Sequence, residues 1–137
     1  MRLITFQSDS APCLGVVRGE SVAPLPDLDM LHLIELGETG LERARKASGP
    51  ELPLASLTLL APIPAPRRNV FCLGMNYAAH VAESLRAKGQ PVKMPARPVF
   101  FTKATTTVNG PFADIPFDAS VSEKIDWEAE LAVVIGR

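Results

Sequence analysis

The stretch Asp126-Trp127-Glu128-Ala129-Glu130-Leu131-Ala132-Val133-Val134-Ile135 joins three alternating acidic residues to a continuous apolar run. Alternate residues of a β-strand share one face, so Asp126, Glu128 and Glu130 are predicted to point the same way. An apolar run of this kind is typical of a strand that is buried on both faces. We therefore predict a long strand over residues 125–135, with carboxylates at one end and the protein core at the other.

The alternating carboxylates favour a divalent cation. Like charges about 7 Å apart on a partly buried surface repel and lose hydration, so a neighbouring positive charge is needed. Mg²⁺ or Mn²⁺ supplies it best, because hard cations prefer oxygen ligands. The alternative is an edge strand with a solvated acidic face, and the Glu-x-Glu spacing alone does not separate the two interpretations.

Upstream of the acidic stretch, residues 70–74 read as a buried strand, and a helix is predicted from Asn76 or Tyr77 to Lys88, with Gly89 as its end. His80 and Glu83 are three residues apart and therefore neighbours on that helix. A carboxylate beside an imidazole can orient it and polarise it, which suits a general base acting on water. The alternative is an exposed His–Glu pair of little energetic value.

A further strand is predicted over residues 98–104, continued by 105–108, and a short one over 114–117. Lys103 could attract the carboxylate of an anionic substrate, or it could be an ordinary surface lysine. The polar, proline-bearing residues 90–97 form a predicted surface loop and a candidate lid. No phosphate-binding loop, dinucleotide fingerprint or Gly-x-Ser-x-Gly motif occurs.

The first 61 residues contain a separate set of short elements. The pattern predicts a three-stranded meander followed by two short helices and one more strand, the first helix capped by Asp27 or Asp29. The predicted strands are 2–7, 13–18, 21–25 and 57–61, with turns at 8–12 and 19–20, and the helices cover 30–36 and 41–48. The proline-rich residues 62–68 favour an extended linker. The expected domains are therefore 1–61 and 69–137, the alternative being a rigid loop within one domain.

Composition indicates a soluble globular protein. The chain has 137 residues, 47% apolar and 21% charged, with a net charge of −1. That charge gives no electrostatic footprint for nucleic acid or an anionic membrane. No secretory signal or membrane helix is recognisable, so we expect a cytoplasmic protein. Cys13 and Cys72 are expected to be free thiols, as is usual in a reducing compartment. His32 lies in an amphipathic helix and is assigned no function.

Three motifs together resemble the fumarylacetoacetate hydrolase family. After a proline-rich lead-in over Leu60–Pro66, they are Asn76-Tyr77-x-x-His80-x-x-Glu83, then Phe101-Thr102-Lys103, and last the acidic stretch from Asp126 to Gly136, in this order. The first 60 residues are similar to the smaller N-terminal domain that many bacterial members carry. The resemblance implies an α+β, β-rich fold, in which a small N-terminal α/β domain is followed by the first part of a mixed β-roll.

The resemblance also implies an activity and the residues for it. Members of the family act on 1,3-dicarbonyl or 2-oxo acids with Mg²⁺ or Mn²⁺ (Ca²⁺ as a possible substitute), and dimers are usual. The resemblance implies that Glu128 and Glu130 are metal ligands, that His80 is the base and that Glu83 orients His80. Tyr77 and Lys103 are expected to contact the substrate.

The expected reaction is hydrolysis of a carbon–carbon bond in an acylpyruvate or fumarylpyruvate. The alternatives are an oxaloacetate-type decarboxylase, a dienoate isomerase, or a non-catalytic module that binds metal or a partner protein. Family members continue beyond residue 137 and supply a further aspartate ligand and a lysine. The resemblance therefore implies that this chain holds part of an active site and shows no turnover by itself.

Overall fold

The computed structural model describes residues 1–9 and 11–136. They form two compact units. The first unit comprises residues 1–64 and the segment that starts at Asn109, and the second comprises Ala65–Val108. None of the helices in the described part of the chain is long and apolar enough to cross a membrane.

An antiparallel sheet forms the first unit in the order β1-β2-β3-β4. Its strands are β1 (Arg2–Gln7), β2 (Pro12–Arg18), β3 (Ser21–Leu25) and β4 (Leu52–Pro53). The predicted meander is confirmed, and Gly19, with φ of 60°, starts the two-residue turn between β2 and β3. The predicted turn at 8–12 includes Ser10, which lies outside the described residues. The sequence pattern missed β4, because two residues cannot show an alternation.

Two short helices follow, α1 (Met30–Leu36) and α2 (Glu38–Arg45). The Asp29 side chain caps α1 by accepting a hydrogen bond of 2.7 Å from the His32 backbone N–H. The second helix begins three residues before the predicted Leu41 and ends at Arg45. Gly40 lies within α2, where a Cβ would collide with the Leu33 backbone carbonyl. The close approach of α1 and α2 therefore requires a glycine at this position.

The sheet is covered on both faces. Strand alternation in β2 sends Leu14 and Val16 to the face packed by the helices, and Cys13 to the opposite face. The helix-side core also contains Ala23, Leu28, Met30, Leu33, Ala44 and Ala47. The opposite core is built on Phe6, Cys13 and Val22, with half-buried leucines from residues 52–59 packed against it.

Residues 57–61 form less than the predicted strand. Only Leu59 makes a β-bridge, with Phe6. Two backbone bonds of 2.9 Å, from Gln7 N–H to the Thr58 carbonyl and from Leu60 N–H to the Thr5 carbonyl, hold this segment along β1. Beyond it, residues 62–65 bend rather than run straight. Ile63 packs against the helix-side core, so burial of this side chain replaces the extended conformation expected from the prolines.

The second unit contains one helix and a pair of antiparallel strands whose connection over residues 75–98 includes that helix. The strands β5 (Val70–Gly74) and β6 (Val99–Lys103), called the β5–β6 hairpin below, pair antiparallel, from Val70 opposite Lys103 to Gly74 opposite Val99. The helix α3 covers Ala78–Ala87. Gly89, with φ of 64°, and Gln90 donate backbone hydrogen bonds to the carbonyls of Arg86 and Leu85. This pairing is a Schellman motif, which confirms Gly89 as the end of the helix.

Three predicted strands are absent from the described residues. Residues 105–107 form a 3-10 turn, in which the Thr107 hydroxyl donates to the Ala104 carbonyl, a local bond that competes with a strand. Residues 114–117 are irregular, and the Asn109 side-chain amide donates to the Asp114 carbonyl. The predicted long strand over 125–135 is also irregular, since no described segment pairs with it and a strand requires a ladder of backbone bonds.

The architecture is α+β, as predicted. Both sheets are antiparallel, and the helices are inserted between strands of the same sheet, α1 and α2 between β3 and β4 and α3 between β5 and β6. The extent of the β-roll and the domain boundaries at 61 and 69 stay predictions.

Candidate functional site

The helix α3 carries His80 and Glu83 on its solvent-exposed side. Val81, one residue after His80, is fully buried and fixes which side of the helix faces the protein. Helical spacing makes His80 and Glu83 neighbours, as predicted. No hydrogen bond or ion pair joins their side chains in the described part of the chain, so the orientation of His80 by Glu83 stays a prediction.

The junction between β5 and α3 is conformationally unusual. Met75 has φ of 55°, a left-handed conformation that is uncommon for any residue other than glycine. Tyr77 caps the helix in an extended conformation, and its carbonyl accepts a 3.0 Å bond from the Val81 N–H. The helix therefore begins at Ala78, two residues after the first predicted start. Asn76 lies outside α3, so helical spacing does not place it on the face of His80.

Lys103 lies at the far end of the hairpin from this junction. It is the last residue of β6 and pairs with Val70, whereas Gly74, at the other end of the ladder, pairs with Val99. Four residues of strand separate the two ends, about 14 Å of backbone. The structure therefore does not bring the backbone of Lys103 to the segment that holds Tyr77.

Glu128 and Glu130 belong to the segment from Asn109 onward, which is part of the first unit, whereas His80 belongs to the second. Both glutamates are exposed, and the neighbouring Trp127 is 84% exposed. Without a strand, the predicted common face of Asp126, Glu128 and Glu130 is not formed. The Asp126 carboxylate instead accepts a local bond of 2.9 Å from the Trp127 N–H.

The donor chemistry of these glutamates suits Mg²⁺, but the described residues do not make up a metal site. No group of three His, Cys, Asp or Glu side chains that could hold an ion occurs among residues 1–9 and 11–136. Mg²⁺ requires six oxygen ligands and usually retains several waters. Two carboxylates on an irregular segment do not fix such a geometry.

A pocket of about 240 Å³ opens at the end of the hairpin where Gly74 and Val99 pair. Residues 73–76 line one side of it and residues 94–99 the other. The lining is mostly apolar, with Asn76 and Arg97 as its polar side chains. None of the six predicted site residues lines it. The sequence places Arg97 in the candidate lid but assigns it no role, and the prolines at 95 and 98 are the signal of a rigid loop at this position.

Comparison with known proteins covers both parts of the chain. The family model described as the C-terminal domain of fumarylacetoacetate hydrolase matches residues 69–137. The Rv2993c-like N-terminal model matches residues 1–62. A crystal structure of a proposed HpcE protein from Mycobacterium smegmatis superimposes with a TM-score of 0.64 at 31% identity, over 87% of this chain and 41% of that one.

Two curated relatives are named for the same activity. The mitochondrial oxaloacetate tautomerase Fahd2a of Rattus norvegicus is 36% identical over the whole of this chain, which spans 45% of the rat protein. The oxaloacetate tautomerase YisK of Bacillus subtilis is 39% identical over 84 residues, which are 61% of this chain and 27% of that protein. The chain thus covers less than half the length of these relatives. With a model match over residues 69–137 and the three motifs in the family's order, the chain belongs to the fumarylacetoacetate hydrolase family.

Proposed function

We propose that this chain is the N-terminal part of an enzyme that interconverts the enol and keto forms of a small 2-oxo acid of the oxaloacetate type. The observation that carries the proposal is the 36% identity along the whole chain to the rat oxaloacetate tautomerase. The B. subtilis tautomerase adds support at 39% identity over 61% of the chain. This proposal replaces carbon–carbon hydrolysis as the leading reaction and is closer to the isomerase alternative.

Tautomerisation is a proton transfer, and the proposal assigns it to His80. In the keto form, a C–H bond next to the carbonyl breaks, its electron pair becomes the C=C bond, and the carbonyl oxygen gains a proton. An imidazole can accept the carbon-bound proton and deliver one to the oxygen, because histidine titrates near neutral pH. The exposed position of His80 on α3 leaves the ring accessible to a ligand. Glu83, one helical turn away, is proposed as the residue that positions it.

A divalent cation is the second part of the proposal. When bound, Mg²⁺ or Mn²⁺ supplies positive charge to the oxygens of a 2-oxo acid. Glu128 and Glu130 are proposed as two of its ligands, as carboxylate oxygens suit a hard cation. The described residues hold no complete site, so we derive no step of the reaction through the metal.

Hydrolysis of an acylpyruvate is retained as the second candidate. The family model that matches residues 69–137 is named for a hydrolase, and a histidine–carboxylate pair is equally suited to activating water. The two reactions differ in their products, because tautomerisation leaves the carbon skeleton intact and hydrolysis divides it in two.

The decisive experiment presents the intact protein that contains this chain with two substrates, oxaloacetate and an acylpyruvate, each in the presence of Mg²⁺. Loss of the enol absorbance of oxaloacetate reports tautomerisation, and pyruvate release reports decarboxylation of oxaloacetate or hydrolysis of an acylpyruvate. We expect the first signal to be the fastest relative to the uncatalysed reaction. Pyruvate release without accelerated tautomerisation would contradict the proposal.

The histidines provide a matched pair of variants for this assay. His80→Ala is expected to lower kcat by about 10²–10⁴-fold, the usual contribution of a general base, while Mn²⁺ still binds. His32→Ala, an exposed histidine on α1, is expected to leave kcat unchanged. Equal activity of His80→Ala and the unsubstituted protein would contradict the role of His80, and no turnover of any substrate above the uncatalysed rate would instead support a non-catalytic module.

A further inference from the structure

The pocket at the end of the β5–β6 hairpin has the composition of a site for a small anion. Among the described residues that line it, Arg97 is the only charged one and Asn76 the only other polar side chain. Neither side chain makes a hydrogen bond or ion pair within the described part of the chain. A guanidinium and an amide at the edge of an apolar pocket can both donate to a carboxylate, and a guanidinium does so bidentately.

The hairpin register places these two residues symmetrically. Gly74 and Val99 are the last pair of the ladder. Asn76 lies two residues beyond Gly74, and Arg97 lies two residues before Val99, so both lie at the end of the ladder where residues 75–98 connect the two strands. Their joint presence in the pocket lining follows from this register, which ties the two segments together at the strand ends.

The backbone on both sides of the pocket is restricted. Pro98 follows Arg97 and limits its backbone to extended conformations, while Pro95 fixes φ two residues earlier. On the other side, Met75 is held in the left-handed region immediately before Asn76. Strained residues of this kind tend to occur at ligand sites, and a restricted backbone lowers the entropy lost when a ligand binds.

We propose that this pocket binds one carboxylate of a four-carbon dicarboxylic acid, and that Arg97 is the residue that selects a dicarboxylate over a monocarboxylate. The volume of about 240 Å³ is below that of typical sites for drug-sized ligands, roughly 300–1,000 Å³, and suits a small metabolite. The dicarboxylate assignment rests on the proposed function, because the 2-oxo acid named there carries two carboxylates. The positive charge that Arg97 gives the pocket does not depend on the proposed function.

The test compares two ligands of equal chain length that cannot enolise, succinate and butyrate. Binding of each to the intact protein is measured by titration calorimetry, for the unsubstituted protein and for Arg97→Gln. Arg86→Gln is the matched control, because Arg86 is exposed on the last turn of α3 and does not line the pocket. We expect Arg97→Gln to weaken succinate binding about tenfold or more, as loss of a charge-assisted hydrogen bond would, and to remove most of the preference for succinate over butyrate.

Two outcomes would overturn the proposal: a protein that binds succinate no better than butyrate, or equal weakening of succinate by the substitutions at Arg97 and Arg86. Oxaloacetate tautomerisation, measured separately, distinguishes this failure from that of the proposed function. If the protein prefers succinate through Arg97 but does not accelerate tautomerisation, the ligand assignment of the pocket holds and the proposed tautomerase function is wrong. If the protein accelerates tautomerisation but does not prefer succinate, the ligand assignment of the pocket is wrong and the proposed function holds.

Discussion

The Thr5 hydroxyl donates a hydrogen bond of 2.7 Å to the Pro62 carbonyl oxygen, 57 residues further along the chain. Thr5 is buried on β1, and Pro62 begins the bend over residues 62–65. This bond satisfies a carbonyl at a point where the chain has no strand partner, so it holds residue 62 against β1.

Replacing Thr5 by Val keeps the shape of the side chain and removes this donor. The free energy of unfolding is expected to fall by about 1–3 kcal/mol, because the Pro62 carbonyl loses its partner in a partly buried position. Thr5→Ser retains the hydroxyl and should lose less. Urea unfolding measures both variants, and a Thr5→Val protein as stable as the unsubstituted one would show that water replaces the bond without cost.

Gly40→Ala tests the close approach of α1 and α2. Alanine gains about 1 kcal/mol of helix propensity over glycine, yet its Cβ would collide with the Leu33 carbonyl, a backbone atom that cannot rotate away. Overpacking of this kind costs about 1–3 kcal/mol, so we expect a net loss of stability. Thr39→Ala, at the neighbouring exposed position, should change stability by no more than about 0.5 kcal/mol. A more stable Gly40→Ala protein would mean that the helices can move apart.

Glu51 gives the first unit a dependence on pH. Its carboxylate accepts hydrogen bonds from the Ser21 hydroxyl and then from Arg18, and these lower the pKa of Glu51 below its ordinary value of 4.5. Because the folded pKa is the lower one, the stabilisation is present above the unfolded pKa and is lost as pH falls through the folded pKa. Thermal unfolding should therefore be less pH-dependent in this acid range for Glu51→Gln than for the unsubstituted protein. Glu20→Gln is the control, and an identical acid profile for all three proteins would contradict the assignment.

Glu128→Gln and Glu130→Gln test the proposed metal ligands. Each variant of the intact protein is expected to bind Mn²⁺ at least about tenfold more weakly, since a carboxylate ligand supplies both an oxygen and a negative charge. Electron paramagnetic resonance of free Mn²⁺ measures the affinity, with Glu123→Gln as an exposed acidic control. If all three variants bind Mn²⁺ as the unsubstituted protein does, the solvated acidic face is the correct interpretation.

The sequence predicted those elements whose cause is local. The alternation in β2, the cap at Asp29 and the helix end at Gly89 each depend on residues a few positions apart, and each is found in the structure. The prediction of a strand over residues 125–135 is wrong for the described residues. A strand forms only where a partner strand lies beside it, and the strand preference of a sequence does not supply that partner.

In the candidate site, too, local relationships could be predicted from the sequence and long-range ones could not. The neighbouring positions of His80 and Glu83 follow from helical spacing alone. The joint position of Asn76 and Arg97 could not be predicted, because it depends on which residues of two strands face each other. Only the register, with Gly74 opposite Val99, places them at one end of the hairpin.

The residues that border β6 affect the tendency of newly synthesised chains to aggregate. Val99-Phe100-Phe101-Thr102 is a run of strongly β-forming residues, and its side chains are exposed in the second unit. Such a run readily joins cross-β aggregates when newly synthesised chains meet. Arg97 and Pro98 precede it and Lys103 ends it, the charges and proline that limit such association. Arg97, which we propose as a ligand-binding residue, therefore also limits association of unfolded chains, and substitutions at Arg97 or Lys103 are expected to increase inclusion-body formation.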